Sequence, residues 1–256
     1  MISDEDVRRL FQNGRAILAK HSDPNTPLPT QFHRGVGLHV WKNQHPGGCE
    51  RHMSVFNKFN IIPRYCFNCY KVVFEPRTVV ELFKLMVVFE KLKLPKDNTR
   101  KCIVETREQV SGAYKGFIYC RGIEEGEEIL KIVKKVLSEE ISKIIPVTLK
   151  RGCSEYPLVY PEYAQIGDPM TAMEYKEEWQ EYEDLFDRDL LVNTRLTASD
   201  THNRPGYTLQ DAQIMLAWLK YAATIGDISY LKISGLVLQP FSNIKRPSPF
   251  CPVEDE

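Results

Sequence analysis

Residues 70–93 of the chain read YKVVFEPRTVVELFKLMVVFEKLK. The first five of these residues are mostly β-branched or aromatic and predict a strand, which Pro76 ends. Thr78 and Glu81 have the spacing of a capping box, so we expect a helix to begin there and to continue to about residue 93. Its apolar face follows the helical period: Val79, Leu82, Phe83, Met86, Val87 and Phe89.

The pattern continues to residue 150 with four further elements. Residues 101–106 alternate in polarity and predict a second strand, and a Ser-Gly turn leads to a third strand over residues 114–120. A long amphipathic helix is expected from about Glu124 to Pro146, followed by a fourth strand over residues 147–150. The order strand, helix, strand, strand, helix, strand is typical of a ferredoxin-like βαββαβ core, an antiparallel four-stranded sheet with two helices on one face.

The flanking segments complete a predicted α+β protein in three parts. Residues 1–69 form an N-terminal helix and a Cys/His metal-binding arm, residues 70–151 the ferredoxin-like core, and residues 152–256 an α-rich extension packed on that core. In the extension, capping boxes predict helices over about 171–189 and 208–226, and a short strand is expected over 230–238.

The N-terminal arm contains a zinc-like pattern. Cys49 and His52 form a C-x2-H pair, and after thirteen residues Cys66 and Cys69 form a C-x2-C pair. Two chelating pairs at this separation are what a tetrahedral zinc site requires. Because all four ligands are protein side chains, the predicted site is structural and leaves no position open for water.

Alternatives to this zinc site remain open at the level of sequence. Cysteine is often buried as a small hydrophobe, so Cys66 or Cys69 is also compatible with a place in the core. Three thiolates with one further ligand would also suit an iron–sulfur cluster. His33, His39 and His45 lie in the same segment. If only three of the four residues bind and His39 or His45 lies nearby, an open, catalytic metal is expected.

The third predicted strand resembles the RNA-recognition motif. Its residues 115–119 read Lys-Gly-Phe-Ile-Tyr, similar to the basic, glycine and aromatic start of the signature that this family carries on its third strand. The resemblance implies that Phe117 and Tyr119, with Tyr70 on the first strand, stack on bases of RNA or single-stranded nucleic acid. It also implies that Lys115 and Arg121 contact phosphates. The alternative is that both rings face a core made by the C-terminal segment.

A second hypothesis is a metal-dependent enzyme acting on a small anionic substrate. Basic residues lie at or near the ends of several predicted strands, where they can converge on a phosphate or carboxylate: Arg100, Lys101, Lys115, Arg121, Lys150 and Arg151. Cys153, which follows Arg151-Gly152, is a candidate activated thiolate, with His39 or His45 as candidate partners. The alternatives for Cys153 are a further metal ligand and a buried cysteine of the core. The chain contains no Gly-rich phosphate loop, no G-x-S-x-G elbow and no H-E-x-x-H motif.

Composition limits the classes of protein that fit. The formal net charge is zero, yet residues 55–151 carry nineteen Lys and Arg against twelve Asp and Glu, while residues 155–200 carry three against twelve. No run approaches eighteen apolar residues, so no membrane-spanning helix is expected. Seven cysteines behind an acidic N-terminus predict a reducing compartment, and hence a cytoplasmic protein with metal-bound or buried thiols.

Overall fold

The computed structural model describes residues 1–21, 31–34, 49–107, 110–166, 171–193 and 209–234. The strands are β1 (Gln31–Arg34), β2 (Cys69–Phe74), β3 (Arg100–Val104), β4 (Tyr114–Arg121) and β5 (Val147–Arg151). The helices are α1 (Asp4–His21), α2 (Cys49–Phe59), α3 (Val79–Lys91), α4 (Ile123–Glu140), α5 (Tyr156–Val159), α6 (Gln180–Asn193), α7 (Leu209–Ile225) and α8 (Leu231–Ser234). Among these helices none is both long and apolar enough to cross a membrane.

The fold is mixed α+β around an antiparallel sheet. Four strands lie side by side in the order β3, β4, β2, β5, each antiparallel to its neighbours, and the short β1 extends the sheet beyond β3. Val72 on β2 pairs with Ile118 on β4 and with Leu149 on β5. Because side chains alternate along a strand, this register sends these three residues to one face and their neighbours in each strand to the other.

Helix α3 begins where its capping box predicts. The Thr78 side chain accepts a hydrogen bond from the backbone N–H of Glu81 at 3.2 Å, which satisfies one of the unpaired N–H groups of the first turn. Helix α4 ends at Glu140, earlier than predicted. Pro146 belongs to the approach to β5, where its carbonyl accepts a hydrogen bond from the N–H of Glu75 at 3.1 Å.

The main core lies on the sheet face covered by α3 and α4. Phe74 of β2 packs edge-on against Phe89 of α3, with ring centroids 5.2 Å apart. The terminal helices α1 and α7 pack against each other and against α3. Trp218 of α7 is fully buried and lies 5.5 Å from the ring of Phe83. The N- and C-terminal helices therefore enlarge the core that the central elements begin.

The prediction of a strand over residues 230–238 is wrong for the residues that the structure describes, since Leu231–Ser234 forms the helix α8. The Asp227 carboxylate decides this geometry. It accepts hydrogen bonds from the N–H of Ser229 at 3.0 Å, from the N–H of Val79 at 2.6 Å and from the hydroxyl of Tyr114 at 2.7 Å. These contacts cap a helical turn and attach it to α3 and β4. Residues 235–238 lie outside the described residues.

A second, smaller core joins α2 and α6 beside the sheet. It contains Phe56 of α2, the buried tyrosines Tyr156 and Tyr163, and Trp179. The stretch that carries Cys49 and His52 is helical here, where the sequence predicted an arm wrapped around a metal. The predicted helix over 171–189 also begins later, at Gln180, after a 3₁₀ turn over Glu177–Trp179.

Candidate functional site

The sheet face opposite α3 and α4 carries a lysine on each of β2, β3, β4 and β5. We call it the lysine face, and it consists of Lys71, Lys101, Lys115, Lys150, Phe117 and Tyr119. In one row of the register Lys71 lies between Tyr119 on β4 and Lys150 on β5. In the next row Phe117 lies opposite Lys101 on β3. The register thus places cations around two aromatic rings.

The Tyr119 ring is in contact with two ammonium groups. The Nζ atom of Lys71 lies 5.2 Å from the ring centroid, and that of Lys101 lies 5.9 Å from it. Lys101 is also 5.5 Å from the centroid of Phe117. Such cation–π contacts stabilise an ammonium group that has lost part of its hydration.

The remaining two lysines have different surroundings. The Lys115 amine pairs with the Glu75 carboxylate, so its charge is neutralised locally. The Lys150 amine donates to the hydroxyl of Ser154 at 2.6 Å. Burial and the nearby charge of Lys71 lower the pKa of Lys150 to about 8. Within the described residues Lys150 forms no ion pair.

The Cys153 thiol lies at the edge of the lysine face. Its Sγ atom is 3.2 Å from the Nζ atom of Lys71, and the residue is half-buried. The sequence suggested Arg151 as the activating cation, but its guanidinium donates to the carbonyls of Phe67 and Met173 instead. The cation beside the thiol is thus Lys71. A lysine ammonium at this distance favours the thiolate form of a cysteine.

The lysine face includes only part of the predicted base-stacking set. Phe117 is 7% exposed and Tyr119 is 2% exposed, so neither ring presents a free face. Tyr70 packs against the main core on the other side of the sheet. Lys115 shares the face of the two rings, and Arg121 is exposed at the end of β4.

The predicted zinc ligands have separate partners where their side chains are described. The His52 ring stacks on Tyr65 at 5.4 Å, and burial lowers the pKa of His52 to about 4. The Cys66 thiol lies 3.2 Å from the hydroxyl of Tyr156. Burial raises the pKa of the Cys66 thiol, and it raises that of Cys69 to about 11.

The described side chains contain no group of three or more Cys, His, Asp or Glu that is arranged to hold a metal ion. This statement does not extend to the Cys49 side chain, nor to His39 and His45, which lie outside the described residues. For His33 only the backbone is described, in β1 opposite Lys101. Zinc binding by Cys49, His52, Cys66 and Cys69 therefore stays a prediction.

The sequence patterns predicted three of the four lysines of the lysine face and missed the fourth. Lys101, Lys115 and Lys150 were expected to converge and do share one face, whereas Arg100 turns to the other face and donates to the carbonyl of Phe89 at 2.7 Å. Lys71 was not singled out. A lysine inside the apolar run of β2 was the available signal, because a charged residue on a buried strand requires a partner.

Comparisons with known proteins do not identify a relative. Neither the protein-family models, nor the curated proteins, nor the solved structures gave a match to this chain. What the protein does is therefore inferred from the geometry of the described residues.

Proposed function

We propose that the protein is an enzyme that acts on a small anionic substrate bound at the lysine face. The observation that carries this proposal is the approach of the Lys71 and Lys101 ammonium groups to the buried ring of Tyr119, with Lys150 directly across from Lys71 on β5. Two ammonium groups that lie at one ring form a cationic site. Such a site suits a phosphate or carboxylate, which accepts charge-assisted hydrogen bonds from the amines.

Burial of the site favours a small ligand over a polymer. Three side chains of the lysine face are almost completely buried, namely those of Lys71, Phe117 and Tyr119. Stacking on nucleic-acid bases requires an aromatic face that is open to the base. RNA or single-stranded nucleic acid as the partner stays a prediction, and this burial makes it less well supported than the small anion.

Two potential nucleophiles at the lysine face favour catalysis over simple binding. The Cys153 thiol beside the Lys71 ammonium is one potential nucleophile, and the Lys150 amine is the other. A binding protein has no need of a nucleophile beside its anion site. The metal-dependent reaction predicted from the sequence uses His33, His39 and His45 with Cys153, and it stays a prediction because the three histidine side chains lie outside the described residues. The chemistry proposed here therefore uses only the thiol and the amine.

We further propose that residues 69–151 form a ferredoxin-like unit. Four observations support this assignment: the element order β2, α3, β3, β4, α4, β5, the strand order, the antiparallel pairing, and the packing of both helices against one face. In such a unit the face opposite the helices is free to carry a site.

Anion binding can be tested by thermal unfolding of the full chain with inorganic phosphate and with glyoxylate as probes. A ligand that binds only the folded state adds about 2.7 kcal/mol of stability at a hundred times its Kd. We expect the melting temperature to rise with both probes, and we expect Lys101→Met to weaken binding by roughly ten-fold or more, because a charged hydrogen-bond donor is lost. Lys131→Met, on the exposed surface of α4, is the matched control.

An unchanged melting temperature with every anion would contradict the proposal. Salt-sensitive binding of single-stranded RNA, lost on replacing both Phe117 and Tyr119 by Ala, would support the RNA hypothesis in its place.

The zinc prediction has its own test, which is elemental analysis of the purified protein. We expect stoichiometric zinc that disappears when Cys66 and Cys69 are both replaced by Ser, since two of the four ligands are then lost. Cys120→Ser is the matched control, because Cys120 is buried in the main core outside the predicted ligand set. Protein without metal, or metal retained by the double variant, contradicts the prediction. Iron with sulfide would indicate the iron–sulfur alternative.

A further inference from the structure

Lys71 and Lys150 are paired directly across β2 and β5. Directly opposite residues of an antiparallel pair have Cβ atoms about 4.5–5.5 Å apart, and two like charges in this position destabilise the sheet. Water screens this pair poorly, because Lys71 is only 5% exposed and Lys150 is half-buried. The arrangement therefore favours a state in which one of the two amines has lost its proton.

The contacts of the two amines indicate which one is neutral. The Nζ atom of Lys71 lies over the Tyr119 ring and 3.2 Å from the Sγ atom of Cys153. An aromatic face stabilises an ammonium group, and the Sγ atom accepts a hydrogen bond from it. The Nζ atom of Lys150 has a neutral partner instead, the hydroxyl of Ser154. Lys150 is therefore the amine that gives up its proton.

The other charged groups around Lys150 do not reverse this preference. Arg107 disfavours its ammonium form, as burial and Lys71 do, whereas Cys153 and Glu155 favour that form. The influence of Glu155 is reduced because its carboxylate is bound by the guanidinium of Arg107. Near neutral pH the Lys150 amine is thus unprotonated in a larger fraction of molecules than an ordinary exposed lysine.

We infer that Lys150 is a Schiff-base lysine, and that its substrates are small aldehydes or 2-oxo acids that carry a carboxylate or phosphate group. This inference rests on the proposed anion site, because Lys71 and Lys101 are the cations that hold the acidic group. A lysine desolvated beside a second cation is a recognised form of activated nucleophile. Carbonyl substrates with an acidic group match both the amine and the cations around it.

The covalent step balances without an oxidant or a reductant. The lone pair of the Lys150 nitrogen attacks the carbonyl carbon, and the carbonyl π pair moves to the oxygen, which takes up a proton to give a carbinolamine. The hydroxyl group then leaves as water while the nitrogen and carbon form a double bond, so the two hydrogens of the neutral amine are balanced by those of the water. The neighbouring Lys71 ammonium is placed to give one proton to the leaving hydroxyl, and the resulting neutral Lys71 amine takes back the remaining amine proton from the iminium nitrogen.

Borohydride trapping of the full chain tests this assignment. The protein is incubated with glyoxylate, an anionic aldehyde, and with acetaldehyde, a neutral one, then reduced with sodium borohydride and mapped by peptide mass spectrometry. With glyoxylate we expect a secondary-amine adduct on Lys150. This adduct should form roughly ten-fold or more faster than the adduct on the exposed Lys131. Its rate should rise as pH increases through about 8, the pKa of Lys150. A hemithioacetal on Cys153 is not trapped by borohydride, so the adduct separates the two nucleophiles.

The variants and outcomes separate this inference from the anion site itself. Lys150→Arg removes the imine-forming amine and should abolish the adduct. Phosphate should still raise the melting temperature of this variant, because Lys71 and Lys101 remain. Lys131→Arg should change neither result. Two results would overturn the Schiff-base assignment and leave the anion site in place. One is phosphate binding without an adduct on wild-type Lys150, and the other is an adduct that is spread evenly over exposed lysines. Equal trapping of glyoxylate and acetaldehyde on Lys150 overturns the anionic substrate class. Loss of both phosphate binding and trapping overturns both proposals.

Discussion

Gly152→Ala is expected to lower the free energy of unfolding by about 3–4 kcal/mol. Gly152 has φ +54°, a backbone conformation that costs a residue with a Cβ atom about 1–2 kcal/mol. A Cβ atom here would lie 2.0 Å from the hydroxyl oxygen of Tyr163 and 2.7 Å from two of its ring carbons. Tyr163 is fully buried and donates to the carbonyl of Cys66 at 2.6 Å, so it has no free space to move into. Overpacking of this kind adds about 1–3 kcal/mol.

Urea or thermal unfolding measures this loss, and Gly226→Ala is the matched control. Gly226 also has positive φ, at +79°, but a Cβ atom there meets no atom within 4 Å. The control should therefore lose only the backbone contribution, about 1–2 kcal/mol. Equal losses in the two variants would show that the contact with Tyr163 has no energetic weight. Adding Tyr163→Phe should recover part of the stability of Gly152→Ala, because the closest clashing atom is then absent.

Arg51→Met is expected to destabilise the protein by about 3–5 kcal/mol, because it leaves two buried carboxylates without their cation. The Arg51 guanidinium donates to both oxygens of Asp187, at 2.9 and 3.1 Å, and to Glu183 at 2.7 Å. The Glu183 side chain is 1% exposed, and its second oxygen accepts the N–H of Arg64 at 2.8 Å. This network joins α2 to α6, so its loss weakens the contact between the two helices.

Chemical denaturation compares Arg51→Met with Arg77→Met. Arg77 pairs with Glu81 on the surface of α3 at 3.3 Å and is largely exposed. Exposed pairs of this spacing contribute about 0–1 kcal/mol, so the control should be nearly neutral. A small effect of Arg51→Met would mean that solvent or other groups replace the guanidinium. If Glu183→Gln with Asp187→Asn restores stability to Arg51→Met, the cost is confirmed as electrostatic.

Sequence patterns identified the central elements because their signals are local. The Thr78 capping box and the alternation over residues 101–106 and 114–120 lie within single segments, and the structure contains α3, β3 and β4 there. Local patterns predicted the wrong element where a contact with a residue far away in the chain determines the conformation. Residues 231–234 look like part of a strand, but Asp227 binds Val79 and Tyr114 and directs a helical turn. Cys49 and His52 of the C-x2-H pair lie on helix α2, and the metal-binding arm that contains them stays a prediction.

The sequence by itself determined the order of strands and helices in the core and the presence of a lysine on each of four strands. Only the tertiary structure decided that Lys71 lies between Lys150 and Tyr119, and that Cys153 contacts Lys71. Strand register is the physical reason, since a shift of one residue would send every lysine of a strand to the opposite face. Register is set by burial of Val72, Ile118 and their neighbours against α3 and α4, which are contacts between residues far apart in the chain.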